Sequence, residues 1–144
     1  SYGVRNDPAL HLSNYYIQST AEGDIVYTGL LEEAYFGDCI FYGALEDEIL
    51  IDEYPGTDNF NYLFDYCLIK SSLNSSLNSQ SSIFNEDPLF RSPYEGDFHL
   101  DSLSGARNKG VLMSNFFDLD GIARDNEPDL GAYEYVSPTN LKRR

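Results

Sequence analysis

The residues best placed to do chemistry are five carboxylates near the C-terminus. They are Asp118, Asp120, Asp125, Glu127 and Asp129. Asp118 and Asp120 stand at alternate positions before Gly121, as in calcium loops, although no Glu follows at the twelfth position, where an EF-hand has one. Ca²⁺ is therefore one candidate ligand. We favour a second interpretation, in which these side chains stabilise turns and Arg124 pairs with one of the carboxylates.

Tyrosine is the second residue type that could bind a ligand. The chain contains 12 Tyr and no Trp. Phenol rings on a flat strand surface can stack on sugar rings and hydrogen-bond to them. The candidates for glycan stacking are Tyr27, Tyr42 and Tyr54, whereas we expect most tyrosines to pack against one another.

No catalytic constellation stands out. Glu32-Glu33 and Glu46–Glu48 could supply the two carboxylates of a glycoside hydrolase, but both runs fall at predicted turns, where charge mainly protects strand edges. His11 and His99 lie far apart, and neither has a Ser or Cys nucleophile motif beside it. The sequence therefore names no catalytic residue.

The two cysteines fall at the same place in a repeated segment. Leu12–Ser19, Tyr35–Tyr42 and Leu63–Lys70 each contain an apolar pair, a small or acidic polar residue and then a mainly aromatic and aliphatic run. Their alignment gives two columns, Tyr16 with Cys39 and Cys67, and Ile17 with Ile40 and Leu68. Stacked in this way, the cysteines are either a disulfide or free thiols, and we favour free thiols.

Repeats about 25 residues apart and filled with short strands predict a solenoid. Asp24–Thr28 and Glu48–Asp52 would be further strands of the same coils, and no apolar set recurs at helical spacing over a useful length. The sequence thus predicts an all-β fold, a parallel β-helix of about three coils with an irregular C-terminal cap.

One domain accounts for the whole length. We expect β-helix coils over 1–70, a mobile Ser/Asn-rich surface loop over 71–82, a capping region over 83–136 and a flexible tail over 137–144. The loop is expected because Ser and Asn side chains compete for backbone hydrogen bonds. The cap is expected because the last coil of a solenoid would otherwise expose a sheet edge.

The net charge of −15 excludes two classes of partner. A field of this sign repels nucleic acid phosphates and anionic lipid surfaces. No stretch approaches the ~18 apolar residues of a membrane span, so we expect no direct membrane insertion.

Five ordered motifs in the C-terminal half carry a family resemblance. They are Asn85–Phe90, Gly96–Leu100, Ser104–Gly110, Asp118–Arg124 and Pro128–Tyr135. In this order they resemble the C-terminal region of secreted right-handed parallel β-helix repeat proteins, including those with a choice-of-anchor-type tail. Ser104-Gly105-Ala106-Arg107 departs from the usual Ser-Pro-Ala-Ile, which suggests that this turn packs differently.

Three upstream segments narrow the resemblance to uncharacterised surface lipoproteins of Bacteroidetes, and they are Gly37–Gly43, the acidic turn Glu46–Ile49 and Phe60–Lys70. The resemblance implies an exported protein, extracellular or at the cell surface, anchored to the outer membrane through N-terminal coils that precede this segment. The expected partner of this segment is therefore the set of preceding N-terminal coils of the same protein. The expected structural cap comprises Arg124, Asp129, Gly131, Tyr133 and Glu134.

Two functions follow as expectations. The first is a non-catalytic C-terminal part of a cell-surface β-helix protein, which binds polysaccharide or another macromolecule or serves as a structural spacer. The alternative is the capping end of a polysaccharide lyase or glycoside hydrolase whose active site lies in the preceding coils.

Overall fold

The computed structural model describes residues 6–137, and within this range the chain is all-β, as predicted. Its strands are β1 Leu10–Ser13, β2 Tyr15–Thr20, β3 Gly23–Thr28, β4 Leu31–Gly37, β5 Ile40–Phe41, β6 Ile49–Asp52, β7 Phe60–Asp65, β8 Leu68–Ile69, β9 Ser79–Gln80, β10 Ile83–Phe84, β11 Phe90–Ser92 and β12 Asp97–Leu100. One 3₁₀ turn, Pro93–Glu95, separates the last two strands. No helix long and apolar enough to cross a membrane occurs in the described range.

Three small sheets pair strands from successive passes of the chain, and all three are parallel. The first sheet pairs β1 with β6. The second has the order β4-β7-β9, and the third has the order β5-β8-β10. Ile40, Leu68 and Ile83 are direct neighbours in the last of these sheets. The register therefore stacks like residues above one another.

The same backbone corner recurs three times between these strands. Asp38 lies between β4 and β5, Tyr66 between β7 and β8, and Ser81 between β9 and β10, and their φ angles are 52°, 50° and 50°. A positive φ is uncommon for residues other than glycine. Its recurrence at equivalent places shows that one turn geometry is repeated on three passes.

Aromatic and aliphatic side chains fill the space between the parallel sheets. Phe36 and Phe64 stack at a centroid distance of 5.1 Å, and Phe41 meets Phe64 edge-on at 5.5 Å. Phe64 and Ile69 are fully buried. Alternation along each strand sends these residues inward and their neighbours outward, so the strands have a second, outer side.

The register of Tyr35–Tyr42 against Leu63–Lys70 is confirmed, but the prediction for the first repeat is wrong. Strands β2 and β3 form an antiparallel hairpin in which Tyr16 faces Tyr27, and Ile17 faces Val26. Gly23, at φ 125°, supplies the turn that only glycine tolerates readily. Tyr16 and Ile17 therefore leave the predicted columns, because local hydrogen bonding to β3 replaces pairing between passes.

The third place in each column is taken by residues at and just after the end of the Ser/Asn-rich segment, Ser82 in the cysteine column and Ile83 in the next. Strand β9 falls inside the range predicted to be a loop. Ser82 follows Cys67 in its column, and its Oγ accepts a hydrogen bond from Cys67 N at 3.1 Å. Leu77 is buried and closes the core from that side. The short Ser side chains of 71–82 add hydrogen bonds to the strands rather than replacing strand structure.

Residues 85–137 follow β10 and pack on the outer side of sheet β5–β8–β10, and we call this segment the cap. Leu68 is fully buried there beneath Leu100, Ala106 and Leu130. Two backbone contacts hold the cap at the corner before β5, where Gly131 N donates to the Asp38 carbonyl at 2.7 Å and Val111 N donates to the Asp38 carboxylate at 2.9 Å.

Candidate functional site

A cavity of about 680 Å³ lies between the outer side of β5 and the cap, and we call it the β5 groove. Ile40 and Tyr42 alternate along the chain and form its floor, with Asp38 at one end. Leu68, on the neighbouring strand, is fully covered by the cap, whereas Ile40 is only partly buried. The groove thus exists because the cap covers β8 completely and β5 only in part.

Aromatic side chains from two distant parts of the cap form the walls. Phe90 and Phe98 project from the antiparallel pair β11–β12 and meet edge-on at 5.4 Å. Tyr133 lines the opposite part of the cavity. Gly131 lets the backbone beside Tyr133 approach Ile40 on the floor, because a Cβ on residue 131 would lie 2.9 Å from Ile40 Cδ1. The φ angle of Gly131 is 89°, which also favours glycine.

A second cavity of about 570 Å³ continues the groove toward the 3₁₀ turn. It shares Tyr42, Phe90 and Phe98 with the first cavity and adds Asp87 and Tyr94. Because three side chains border both cavities, the two cavities adjoin at Tyr42, Phe90 and Phe98, and we call them together the cleft. Two adjoining cavities suit successive units of an extended chain better than one compact small molecule.

Tyr42 is held from one side by Lys70, whose ammonium lies 5.1 Å from the ring centre. Lys70 is fixed by donating to the Gly43 carbonyl at 2.8 Å. Burial, and then the Asp87 carboxylate, raises the pKa of Tyr42, so its hydroxyl remains protonated at neutral pH. The ring can therefore stack through its free face and exchange hydrogen bonds through its hydroxyl.

The groove contains one carboxylate with a free oxygen position. Asp38 Oδ1 accepts from Val111 N, and no described donor contacts Oδ2. Burial raises the pKa of Asp38, while the Val111 hydrogen bond and the Arg124 guanidinium lower it. Oδ2 is therefore available to accept a hydrogen bond from a ligand.

Arg124 also lines the groove, but its donors are committed to the cap. It contacts Glu134 at 2.7 Å and donates to the carbonyls of Asp129 and Gly131 at 2.8 and 2.7 Å. Burial raises the pKa of Glu134, whereas Arg124 lowers it. The structure thus brings together Arg124, Asp129, Gly131 and Glu134, four of the residues expected to form the cap. Among the described residues that line the groove, no cation is left without a protein partner.

The fifth cap residue, Tyr133, is positioned by a histidine behind the groove wall. The His99 ring stacks on it at a centroid distance of 4.0 Å. His99 Nδ1 lies 2.6 Å from Asp97 Oδ1, and Nε2 lies 2.9 Å from Asp120 Oδ2. Hydrogen bonding to Asp120 raises the pKa of His99 most, with Asp97 adding to it and burial opposing it.

The five carboxylates singled out in the sequence are spread over the cap and mostly cap backbone amides. Asp118 accepts from the amides of Asp120, Ile122 and Glu134. Asp129 accepts from the amides of Asn108 and Tyr135, Asp125 from that of Glu127, and Asp120 contacts His99. Over residues 6–137, no group of three or more His, Cys, Asp and Glu side chains is close enough together to hold a metal ion. Calcium binding stays a prediction.

Of the three tyrosines proposed for glycan stacking, only Tyr42 lies in the groove. The ring of Tyr27 stacks on that of Tyr16 in the β2–β3 hairpin, with 4.9 Å between ring centroids. The ring centroid of Tyr54 lies 5.2 Å from that of Tyr15. The sequence reasoning missed Phe90 and Phe98. The alternation in Asp97-Phe98-His99-Leu100 places Phe98 on the same side of β12 as the buried Leu100, but nothing local indicated that the Phe98 ring would border a cavity.

Comparison with known protein families, curated proteins and solved structures finds no match for this chain.

Proposed function

We propose that residues 10–84 form about three coils of a right-handed parallel β-helix and that residues 85–137 cap it. Three features support this fold: the parallel pairing between successive passes, the stacked columns led by Ile40, Leu68 and Ile83, and the repeated left-handed corner. In this arrangement β1, β4 and β5 belong to the first coil described. Each has a pairing edge that a preceding coil could extend.

The function that the geometry supports best is non-catalytic binding of a polysaccharide in the β5 groove. The observation that carries this proposal is the pair of adjoining cavities, of about 680 and 570 Å³, with Tyr42 shared between them. Aromatic rings on the floor and both walls offer faces for sugar rings. The Asp38 carboxylate and the Tyr42 hydroxyl offer polar contacts for sugar hydroxyls.

Charge narrows the ligand to uncharged glycans. Two carboxylates, Asp38 and Asp87, line the cleft. In the described chain, the cations that line the cleft or lie over Tyr42 are Arg124 and Lys70, and both already have protein partners. The net charge of −15 adds a repulsive field at long range. A uronic acid polymer would thus meet unfavourable charge, whereas neutral hydroxyls can donate to Asp38.

Affinity electrophoresis tests this proposal. Native gels containing neutral β-glucan, xylan or mannan would be compared with gels containing polygalacturonate. We expect retardation by at least one neutral polysaccharide and none by polygalacturonate. Replacing Tyr42 by Ala should raise the Kd about tenfold, the cost of losing one aromatic anchor.

Two further variants separate lost binding from lost folding. Tyr94 is 85% exposed, so Tyr94→Ala should weaken binding without lowering the Tm. Tyr27→Ala, in the hairpin, removes an equal ring outside the groove and should leave retardation unchanged. Equal retardation of the wild type and the Tyr42 and Tyr94 variants would contradict the assignment.

Catalysis is tested in the same samples by release of reducing ends. We expect none from this 144-residue chain. Release that Tyr27→Ala retains would overturn the non-catalytic assignment and place an active site within this chain.

We place the protein outside the cell or on its surface, consistent with a polysaccharide ligand. Its attachment through preceding coils belongs to the same proposal. Recovery of the native protein from the medium or by surface proteolysis of intact cells tests it, and an exclusively cytoplasmic pool would contradict it.

A further inference from the structure

The two cysteines stack on neighbouring passes in different environments. Cys39 precedes β5 and Cys67 precedes β8, one position before the paired residues Ile40 and Leu68. Neighbouring strands lie roughly 4.8 Å apart, within the 4.4–6.8 Å between Cα atoms that a disulfide requires. The two thiols thus stand where a bond between them needs little backbone movement.

Access to the thiols is unequal. Cys39 is partly exposed and lines the β5 groove, whereas Cys67 is fully buried. Cys39 Sγ donates to the Gly37 carbonyl at 3.1 Å, and Cys67 Sγ donates to that of Phe36 at 3.3 Å. Both side chains belong to the inner core, but only Cys39 retains exposed surface, so an external reagent approaches Cys39 more readily than Cys67.

The contact between the thiols also makes them chemically different. The neighbouring Cys67 thiol, which can donate to a Cys39 thiolate, lowers the pKa of Cys39, against burial and the Asp38 carboxylate. The same contact, and then burial, raises the pKa of Cys67. The accessible thiol is thus the better source of thiolate, which is the reactive form in disulfide exchange.

We propose that Cys39 and Cys67 form a redox-active dithiol, in which Cys39 attacks an external organic disulfide and Cys67 resolves the product. The Cys39 thiolate bonds to one sulfur of RSSR, the S–S bond breaks, and the released RS⁻ takes up the proton lost by Cys39. Cys67 then attacks the Cys39 sulfur, and the second RS⁻ leaves with the Cys67 proton. The balance is one dithiol and one RSSR giving one protein disulfide and two RSH.

The product would join the groove floor to the covered strand beside it. Strand β5 is an edge strand, and β8 is central in the same sheet. A bond between their preceding residues would hold Asp38 and Ile40 in fixed register with Tyr66 and Leu68. The oxidised protein should therefore unfold at a higher Tm than the reduced protein.

Oxidised glutathione is a suitable probe, with intact mass and alkylation of remaining thiols as readouts. The folded wild-type chain should lose two hydrogens, retain no glutathione and become resistant to alkylation. Cys67→Ser should stop at one glutathione on Cys39, because no resolving thiol is present. Cys39→Ser should stay unmodified while folded, because Cys67 is buried. Serine is a conservative choice, since Ser82 already occupies this column.

Two results would overturn the proposal. The first is seen in the wild type once Cys67→Ser has fully reacted: both wild-type thiols can still be alkylated, or glutathione has accumulated on Cys39. The other is Cys39→Ser reacting as fast as the wild type with an unchanged circular dichroism spectrum. No glycan is present in these reactions, so their outcome is independent of the proposed binding function.

Discussion

The parallel strands of residues 10–84 and the cap of residues 85–137 are stabilised in different ways. In the strand region, stacked apolar side chains and ladder hydrogen bonds repeat from pass to pass, and Phe64, Ile49 and Ile69 are fully buried. In the cap, carboxylates accept hydrogen bonds from backbone amides, and Phe116 and Phe117 are 60% and 65% exposed. The first region depends mainly on burial, whereas the second adds polar pairing to the buried contacts of Leu100, Ala106 and Leu130.

This difference bears on the groove, because its floor and walls come from different regions. Tyr42 and Ile40 belong to the strand region, whereas Phe98 and Tyr133 belong to the cap. Regions with few buried apolar contacts open locally more readily than cores. We therefore expect a rigid floor and walls that adjust to the ligand.

The largest effect should come from the strand region. Phe64→Ala removes a ring that contacts Phe36, Phe41 and Tyr62 and should lower the free energy of unfolding by about 3–5 kcal/mol. Urea denaturation followed by circular dichroism measures it. Phe116→Ala is the matched control, expected within about 0.5 kcal/mol of the wild type. Similar losses for both variants would contradict the assignment of the core.

A smaller and more local effect should follow from Arg124→Gln in the cap. The side chains of Arg124 and Glu134 are only 9% and 11% exposed, so the change leaves a carboxylate nearly buried and should cost about 3 kcal/mol. Amide exchange should accelerate around Asp118 and Asp129 more than in β7 and β8. Uniform acceleration would show that cap and strands unfold as one unit. Lys109→Gln provides a surface control.

The smallest effect should be the pH dependence of the His99 contacts. The folded-state pKa of His99 is raised, so its stabilising contribution is complete below the unfolded pKa and is lost as pH rises through the folded pKa. At higher pH a neutral ring has one N–H for Asp97 and Asp120. The Tm difference between wild type and His99→Gln should therefore shrink as pH rises. A difference that grows with pH would contradict this sign.

Part of the strand region could be predicted because its signal is local. Tyr35–Tyr42 and Leu63–Lys70 share a pattern, and the structure pairs them in the predicted register. Leu12–Ser19 has the same residue types, but its strand pairs with β3 next to it in the chain. Residue type alone cannot tell these two partners apart, because both arrangements satisfy the same hydrogen-bonding groups.

The groove could not be predicted because its parts are distant in the sequence. Tyr42 was a candidate for stacking on residue type, but its neighbours Phe98 and Tyr133 reach it only through the path of the cap. The carboxylates were conspicuous as a cluster, yet their hydrogen bonds go to amides as far away as Asn108. Spacing along the chain gives no information on such partners.

The central claim, that the β5 groove binds an uncharged glycan, is tested most directly by NMR chemical-shift mapping. The full chain would be titrated with the neutral oligosaccharide that competes best in electrophoresis. The account predicts shifts concentrated on Ile40, Tyr42, Phe98 and Tyr133, with Tyr16 and Tyr27 of the hairpin unaffected. Saturable shifts confined to the hairpin, or to Asp125, Glu127 and Asp129, which do not line the groove, would contradict it.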